Sequence, residues 1–390
     1  MSKYFYPLLI AQFLSAFADN AILFTVIAMV IQSDTPPAWY VPALQSVFLV
    51  AFVLLGPWVG ACADSHPKDK VLIVANLIKA AGAGLLLLGV EPLLAYCVVG
   101  VGAALYSPAK YGILPELAGH RDLVKANSWI EGSTILAILT GMVVGAKAAD
   151  QSIGMALTGT MVLFLVSAAT TCLLPATVRK TLPVGSKIVL FYREICQFLA
   201  SPRSRFAVLG ASLFWATAAC VRVIIVAWAP LVLMTHNASD IADLTLFLAL
   251  GIIVGSALVP RLIPLEHLRR VRIPAYLMAL LIVGLSFTGS IWPARIVLLL
   301  MGTAGGMFVV PINAALQEIG YQSIGSGGAV AMQNFFQNVA MLLSVGGYTL
   351  AATFNVGPTA ALFGLGALLF LMTFGVVMRL PAERVNANRE

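Results

Sequence analysis

The stretch YPLLIAQFLSAFADNAILFTVIAMVIQ, from Tyr6 to Gln32, holds one formal charge, Asp19, close to its middle. At about 1.5 Å of rise per residue, a helix over this run crosses a hydrocarbon layer of roughly 30 Å and places Asp19 roughly 20 Å deep. An ionisable group at that depth costs at least ~2.5–3.5 kcal/mol on insertion scales, so such groups face a water-filled cavity or a partner. The run therefore predicts a membrane span with a polar site built into it.

The rest of the chain repeats the pattern. Of its 390 residues 60% are hydrophobic and 10% charged, and the mean hydropathy is +0.96, far from the balance of a soluble domain. Apolar runs long enough to span predict twelve helices, roughly 6–32, 39–63, 71–90, 92–114, 124–147, 152–174, 206–234, 241–263, 273–290, 293–316, 323–352 and 358–379. The reading is an all-α polytopic membrane protein with short linkers. Its first span is expected to stay as an anchor rather than leave as a signal peptide.

With both termini cytoplasmic, eighteen of the 23 Lys and Arg residues fall on the inner side. Lys147 and Arg295 fall outside, and Lys79, Lys110 and Arg222 lie within spans. That asymmetry sets the orientation, and the net charge of +7 reports topology and contact with anionic lipid instead of nucleic-acid binding. The cysteines 62, 97, 172, 196 and 220 stand singly, with no metal-ligand spacing, and read as reduced packing residues.

One long polar interruption, 176–205, carries Arg179, Lys180, Lys187, Arg193, Arg203 and Arg205 against Glu194. Its apolar middle, 187–200, predicts an amphipathic helix on the cytoplasmic leaflet joining two six-helix halves, 1–175 and 206–390. The halves echo one another. Pro108 is followed by Glu116, then Asn127 and Glu131; Pro311 is followed by Glu318, then Asn334 and Asn338. A parallel repeat implies a central cavity between the halves.

Candidate site residues follow from charge and depth. Asp19 is followed by Asn20 and preceded by Gln12 and Ser15; Arg222 in helix 7 lies roughly 24 Å past Phe206, at a comparable depth on the repeat-related helix. Asp19 either bonds only a neighbouring helix, or forms a salt bridge with Arg222 that holds the halves together, or shares a substrate site with it as the opposite pole. The last two are compatible if substrate binding breaks the pair. Lys110 and Lys79 read as snorkelling toward the inner surface. Gln333, Asn334, Gln337 and Asn338 line a cavity or join helices. Trp215 and Trp228 belong to a chain-binding wall or an interfacial belt.

No catalytic constellation is visible. His66, His120, His236 and His267 fall in predicted loops, none with an aspartate five residues later, and there is no P-loop or metal cluster. Neither an enzyme nor an ATP-driven pump is expected, and no cofactor.

The segment GACADSHPKDK, with Gly60, Asp64, Lys68 and Lys70, resembles the loop motif of the major facilitator superfamily, with Ser65 where a basic residue is usual. Together with twelve spans in a 6+6 arrangement it makes that superfamily the fold reading. More specific are AQFLSAFADN (11–20), YSPAKYGILPEL (106–117), LVKAN (123–127) and PINAALQE (311–318). These resemble the lysophospholipid transporter family of Gram-negative inner membranes over essentially the whole chain, with small departures at Pro115 and in the bare termini.

That resemblance implies movement of lysophosphatidylethanolamine and lysophosphatidylglycerol from the outer to the inner leaflet of the inner membrane, by alternating access with lateral lipid access. It implies inner-membrane lipids as surroundings, and reacylation by a cytoplasmic-side acyltransferase/acyl-ACP synthetase expected as a separate chain. It also implies Asp19, Lys110 and Arg222 as transport-pathway residues. Arg222 then suits the phosphodiester and Asp19 the ethanolamine ammonium, with Asn20, Tyr106, Asn127, Glu131, Gln333, Asn334 and Asn338 around the head group. Asp64, Lys68, Glu116 and Glu318 are the expected gating residues. Two other readings stand beside it: a proton-coupled exporter of drugs or small amphiphiles, and a non-transporting scaffold for the acyltransferase.

Overall fold

The computed structural model describes residues 3–31, 40–175, 186–234, 238–263 and 265–377. Arg179 and Lys180 of the linker, His236, and the terminal Arg379, Arg384 and Arg389 lie outside the described residues.

All regular structure among the described residues is helical. The elements are α1 (Phe5–Ile31), α2 (Tyr40–Ser65), α3 (Lys68–Leu87), α4 (Pro92–Gly112), α5 (Leu114–Gln151), α6 (Ile153–Thr171), α7 (Lys187–Ala200), α8 (Pro202–Val232), α9 (Ala238–Leu262), α10 (Arg272–Leu285), α11 (Ile291–Gln322), α12 (Ser326–Thr353) and α13 (Pro358–Val377). Apart from α7, each helix corresponds to one expected span. Eleven are long and apolar enough to cross a membrane. The apolar side chains left exposed along them, such as Leu54, Leu300 and Leu343, are what lipid-facing helices require.

The departures from the expected boundaries have local causes. The span read over 273–290 is helical only to Leu285, where i→i+3 bonds from Ser286, Phe287 and Thr288 tighten the last turn. A 3₁₀ segment, Leu265–Val271, leads into it. Helix α5 starts at Leu114, earlier than expected, but Gly119 at φ 66°, ψ 175° breaks it, a conformation open essentially to glycine alone. Helix α11 runs on to Gln322 and so carries Gln317 and Glu318 on helix.

By internal contacts the chain forms two compact units. The first is Met1–Cys196 with Gln317–Asn338, and the second Gln197–Leu316 with Val339–Glu390. In the first, α1 packs on α5 and α6, α2 on α4, and α3 on α4 and α6. Gly141 and Gly145, four apart on α5, let that helix approach the α1 backbone at Phe17 and Ala21. In the second, Gly251 and Gly255 of α9 face Leu299 and Thr303, while Gly302 and Gly306 of α11 face Leu248 and Ile252. A pair of such small-residue ridges brings two backbones into van der Waals contact, which is the main attraction open to helices in lipid.

Two expectations about aromatic and linker residues are corrected or refined here. Trp228 is fully buried in the second unit, so it is a core residue and neither a chain-binding wall nor a belt residue. Trp215 is half-buried and packs edge-on against Phe214 at 5.3 Å. In helix α7, Phe191 is buried edge-on against Phe335 at 5.9 Å, while Ile188, Val189, Tyr192 and Arg193 are exposed. The five cysteines are free thiols.

Candidate functional site

A buried polar chain crosses the first unit at mid-helix. Lys79 on α3 donates to Asp19 Oδ2 on α1 at 2.7 Å and to Ser15 Oγ at 2.9 Å. Ser15 donates to Asn76 Oδ1 (2.9 Å), Asn76 to Ser167 Oγ on α6 (2.9 Å), and Ser167 to the Ala11 carbonyl (2.6 Å). The ammonium also lies over the rings of Tyr106 (4.6 Å) and Phe164 (5.5 Å). Asp19 Oδ1 is buried and has no hydrogen-bond partner, although the side chain as a whole keeps 20% of its surface open.

This corrects one expectation. Lys79 does not snorkel: it is 1% exposed and is the counter-ion of Asp19. Within the first unit Asp19 thus bonds a neighbouring helix. Arg222, on α8 in the second unit, is exposed and has no hydrogen-bond or ion-pair partner among the described residues. Lys79 was open to discovery by counting rise. It lies eleven residues into α3 and Asp19 fourteen into α1, helices that start at the same end, so their depths differ by about 5 Å.

Lys110 is a second correction to the snorkelling picture. It is buried, with Nζ over the Tyr111 ring at 4.1 Å, and Tyr111 donates to Glu131 Oε1 at 2.8 Å. Glu131, Lys79 and Lys110 are all buried in the first unit. Asn20 bonds back to the Ala16 carbonyl at 2.8 Å on its own helix. Gln12 is tied to α5 through Ser133 and Thr134.

The amides divide differently. Asn127 and Gln317 exchange two hydrogen bonds, 2.9 and 2.8 Å, as a buried reciprocal pair. Asn334 donates to Ser107 at 2.8 Å, and Asn338 to the Asn334 carbonyl at 2.7 Å; Gln333 is buried beside them. In this arrangement Asn127 and Asn334 join helices. Gln317, which sequence reasoning passed over, is the partner that makes Asn127 a clasp.

The four expected gating residues gather at the end of the first unit where α2 meets α3. Both oxygens of Asp64 accept backbone N–H groups at the start of α12, from Gly327 at 2.9 Å and Gly328 at 2.8 Å. The helix's unsatisfied donors and its positive dipole end meet a carboxylate. The approach demands glycine. Gly325 has φ +112° with its missing Cβ directed at the Asp64 carboxylate, and a Cβ on Gly327 would lie 2.8 Å from that of Ala63. Beside this cap, Lys68 bonds Glu116 at 2.7 Å and Ser326 bonds the Gly112 carbonyl at 2.8 Å. His120, expected in a loop, sits on α5 just past the Gly119 break and pairs with Glu318.

Helices of membrane-crossing length, with an ion pair at mid-span in the first unit and a capped helix start at one end, have the makeup of a secondary transporter. Known proteins agree. A family model described as the Major Facilitator Superfamily matches residues 8–345. Among solved structures the chain is similar to the Escherichia coli fucose:proton symporter FucP (TM-score 0.75, 15% identity, 97% of this chain and 98% of that one). It is also similar to the human organic anion transporter MFSD10 (TM-score 0.77, 15% identity, 96% and 99%). Among curated relatives it is 41% identical over 367 residues to the lysophospholipid transporter LplT of Photorhabdus laumondii, covering 93% of this chain and 92% of the relative. It is 39% identical over 375 residues to that of Salmonella arizonae, covering 95% and 94%. The chain belongs to the Major Facilitator Superfamily, and within it to the lysophospholipid transporter family.

Proposed function

We propose that the protein moves lysophospholipids, chiefly lysophosphatidylethanolamine and lysophosphatidylglycerol, from the outer to the inner leaflet of a Gram-negative inner membrane. The substrate class comes from the names of relatives aligned over nearly the whole chain. The structural observation that carries the reading is Arg222, a guanidinium well inside α8 with no protein counter-ion among the described residues. A planar, permanently charged fork suits a phosphodiester, which it binds through two parallel hydrogen bonds. A single acyl chain can lie along apolar helices or protrude into lipid, while the head group needs the polar route.

In this reading the halves 1–175 and 206–390, joined by 176–205, alternate access, and head-group donors meet Asp19 with Tyr106, Lys110 and Glu131 nearby. The contacts of Asp64, Lys68, Glu116 and Glu318 form the cytoplasmic gate, on the side where the basic residues and both termini lie. A separate acyltransferase/acyl-ACP synthetase takes the delivered lipid.

The test is uptake of head-group-labelled lysophosphatidylethanolamine into spheroplasts without their own transporter. Uptake that depends on the protein and falls to background in Arg222→Ala supports the reading. No uptake with the wild-type chain confirmed in the membrane overturns it and favours the amphiphile exporter.

A further inference from the structure

We propose that Lys79 is a specificity-determining residue: fixed against Asp19, it cancels the carboxylate's charge, so that amine and polyol head groups use the site alike. The inference rests on the lysophospholipid reading above and revises the role of Asp19 in it. An isolated mid-span aspartate would be an anionic pole selecting an ammonium. In the structure that pole is already occupied from within.

The geometry shows why Lys79 stays in place. An ammonium has three N–H donors. One meets Asp19 Oδ2 at 2.7 Å, one Ser15 Oγ at 2.9 Å, and the remaining face rests on the Tyr106 ring at 4.6 Å. Beyond Ser15 every donor in the chain points away from the lysine, through Asn76 and Ser167 to the Ala11 carbonyl. A chain polarised in that sense stabilises a cation at its head. With its donors committed and 1% of its surface exposed, Lys79 has nothing left to offer a phosphate. What the pair does leave over is Asp19 Oδ1, a buried acceptor without a donor, on a side chain that keeps 20% of its surface open. Such an acceptor takes an N–H from ethanolamine or an O–H from glycerol, and a neutral pair gives neither a large Coulombic advantage.

Spheroplasts expressing the full chain are given lysophosphatidylethanolamine and lysophosphatidylglycerol with distinguishable head-group labels, and the ratio of their uptake is read. Lys79→Met leaves an uncompensated anion and should shift the ratio toward ethanolamine by about tenfold or more. Asp19→Asn leaves an uncompensated cation and should shift it toward the anionic glycerol lipid by about as much. The double variant, neutral again, should return to within about twofold of wild type. Asp19→Asn is nearly isosteric and leaves Lys79 an amide oxygen to bond, so it reads the sign even where Lys79→Met fails to accumulate. Transporting single variants with an unchanged ratio, or a double variant as skewed as a single, overturn the proposal. A wild-type protein that takes up neither lipid overturns the substrate reading instead, and the two failures are distinct.

Discussion

Replacing Asp64 by alanine removes both acceptors at the start of α12. The N–H groups of Gly327 and Gly328, now bonded at 2.9 and 2.8 Å, would be left in a crowded site where Gly60, Ala63 and Ala331 close the approach. Each buried donor without a partner costs about 1–3 kcal/mol, and loss of the carboxylate from the helix dipole adds roughly 0.3–1 kcal/mol. Taking about 3 kcal/mol for the whole, the free energy of opening this end falls by enough to raise amide exchange roughly a hundredfold. The assay is hydrogen exchange followed by mass spectrometry on the peptide covering 324–332, in the intact protein in lipid nanodiscs. Asp64→Asn keeps one acceptor and should give an intermediate rise. The bond from Ser326 to the Gly112 carbonyl remains in both variants, so the effect should fade along α12. Exchange in Asp64→Ala equal to wild type would refute the reasoning, because it would mean that the cap carries no net free energy.

Two further outcomes follow from packing and amide pairing. Gly302→Leu should abolish accumulation of folded protein, since even its Cβ would strike the Leu248 carbonyl and lie 3.0 Å from Gly251 Cα. Gly346→Leu, which meets open space, should behave as wild type on size-exclusion chromatography. For the Asn127–Gln317 clasp, either alanine substitution removes both of its hydrogen bonds, leaving Asn127 only the Leu123 carbonyl or Gln317 no clasp partner, and should cost about 1–3 kcal/mol. The double variant should cost less than the sum, with a coupling of about 0.5–3 kcal/mol in a thermal-unfolding cycle; strict additivity would show that the two amides do not depend on each other.

Much of the fold lay open in the chain. Each expected span meets a helix because a long apolar run is a local property, and α7 appears where charge and apolar residues alternate. Asp19 stood out for the same reason, as a lone charge in such a run. The boundaries that moved, at Leu114, Leu285 and Gln322, depend on caps and turns whose hydrogen bonds are only a few residues long. The candidate site was half visible: Asp19, Lys110, Glu131 and Asp64 announced themselves, but their partners did not. Gln317 looked like one amide among several, and Lys79 like a snorkelling lysine.

The sequence by itself determined that this is a many-span membrane protein, which stretches cross, and which family it belongs to, because length, hydropathy and motif are read along the chain. Only the tertiary structure decided that Asp19 answers to Lys79 and that Asn127 answers to Gln317. A span that is apolar on every side, such as α6 or α13, carries no stripe that says which face looks inward. The rotation of each helix about its axis is set by close packing at residues such as Gly141, Gly145 and Gly302. Until those contacts form, a buried charge has a depth but no neighbour.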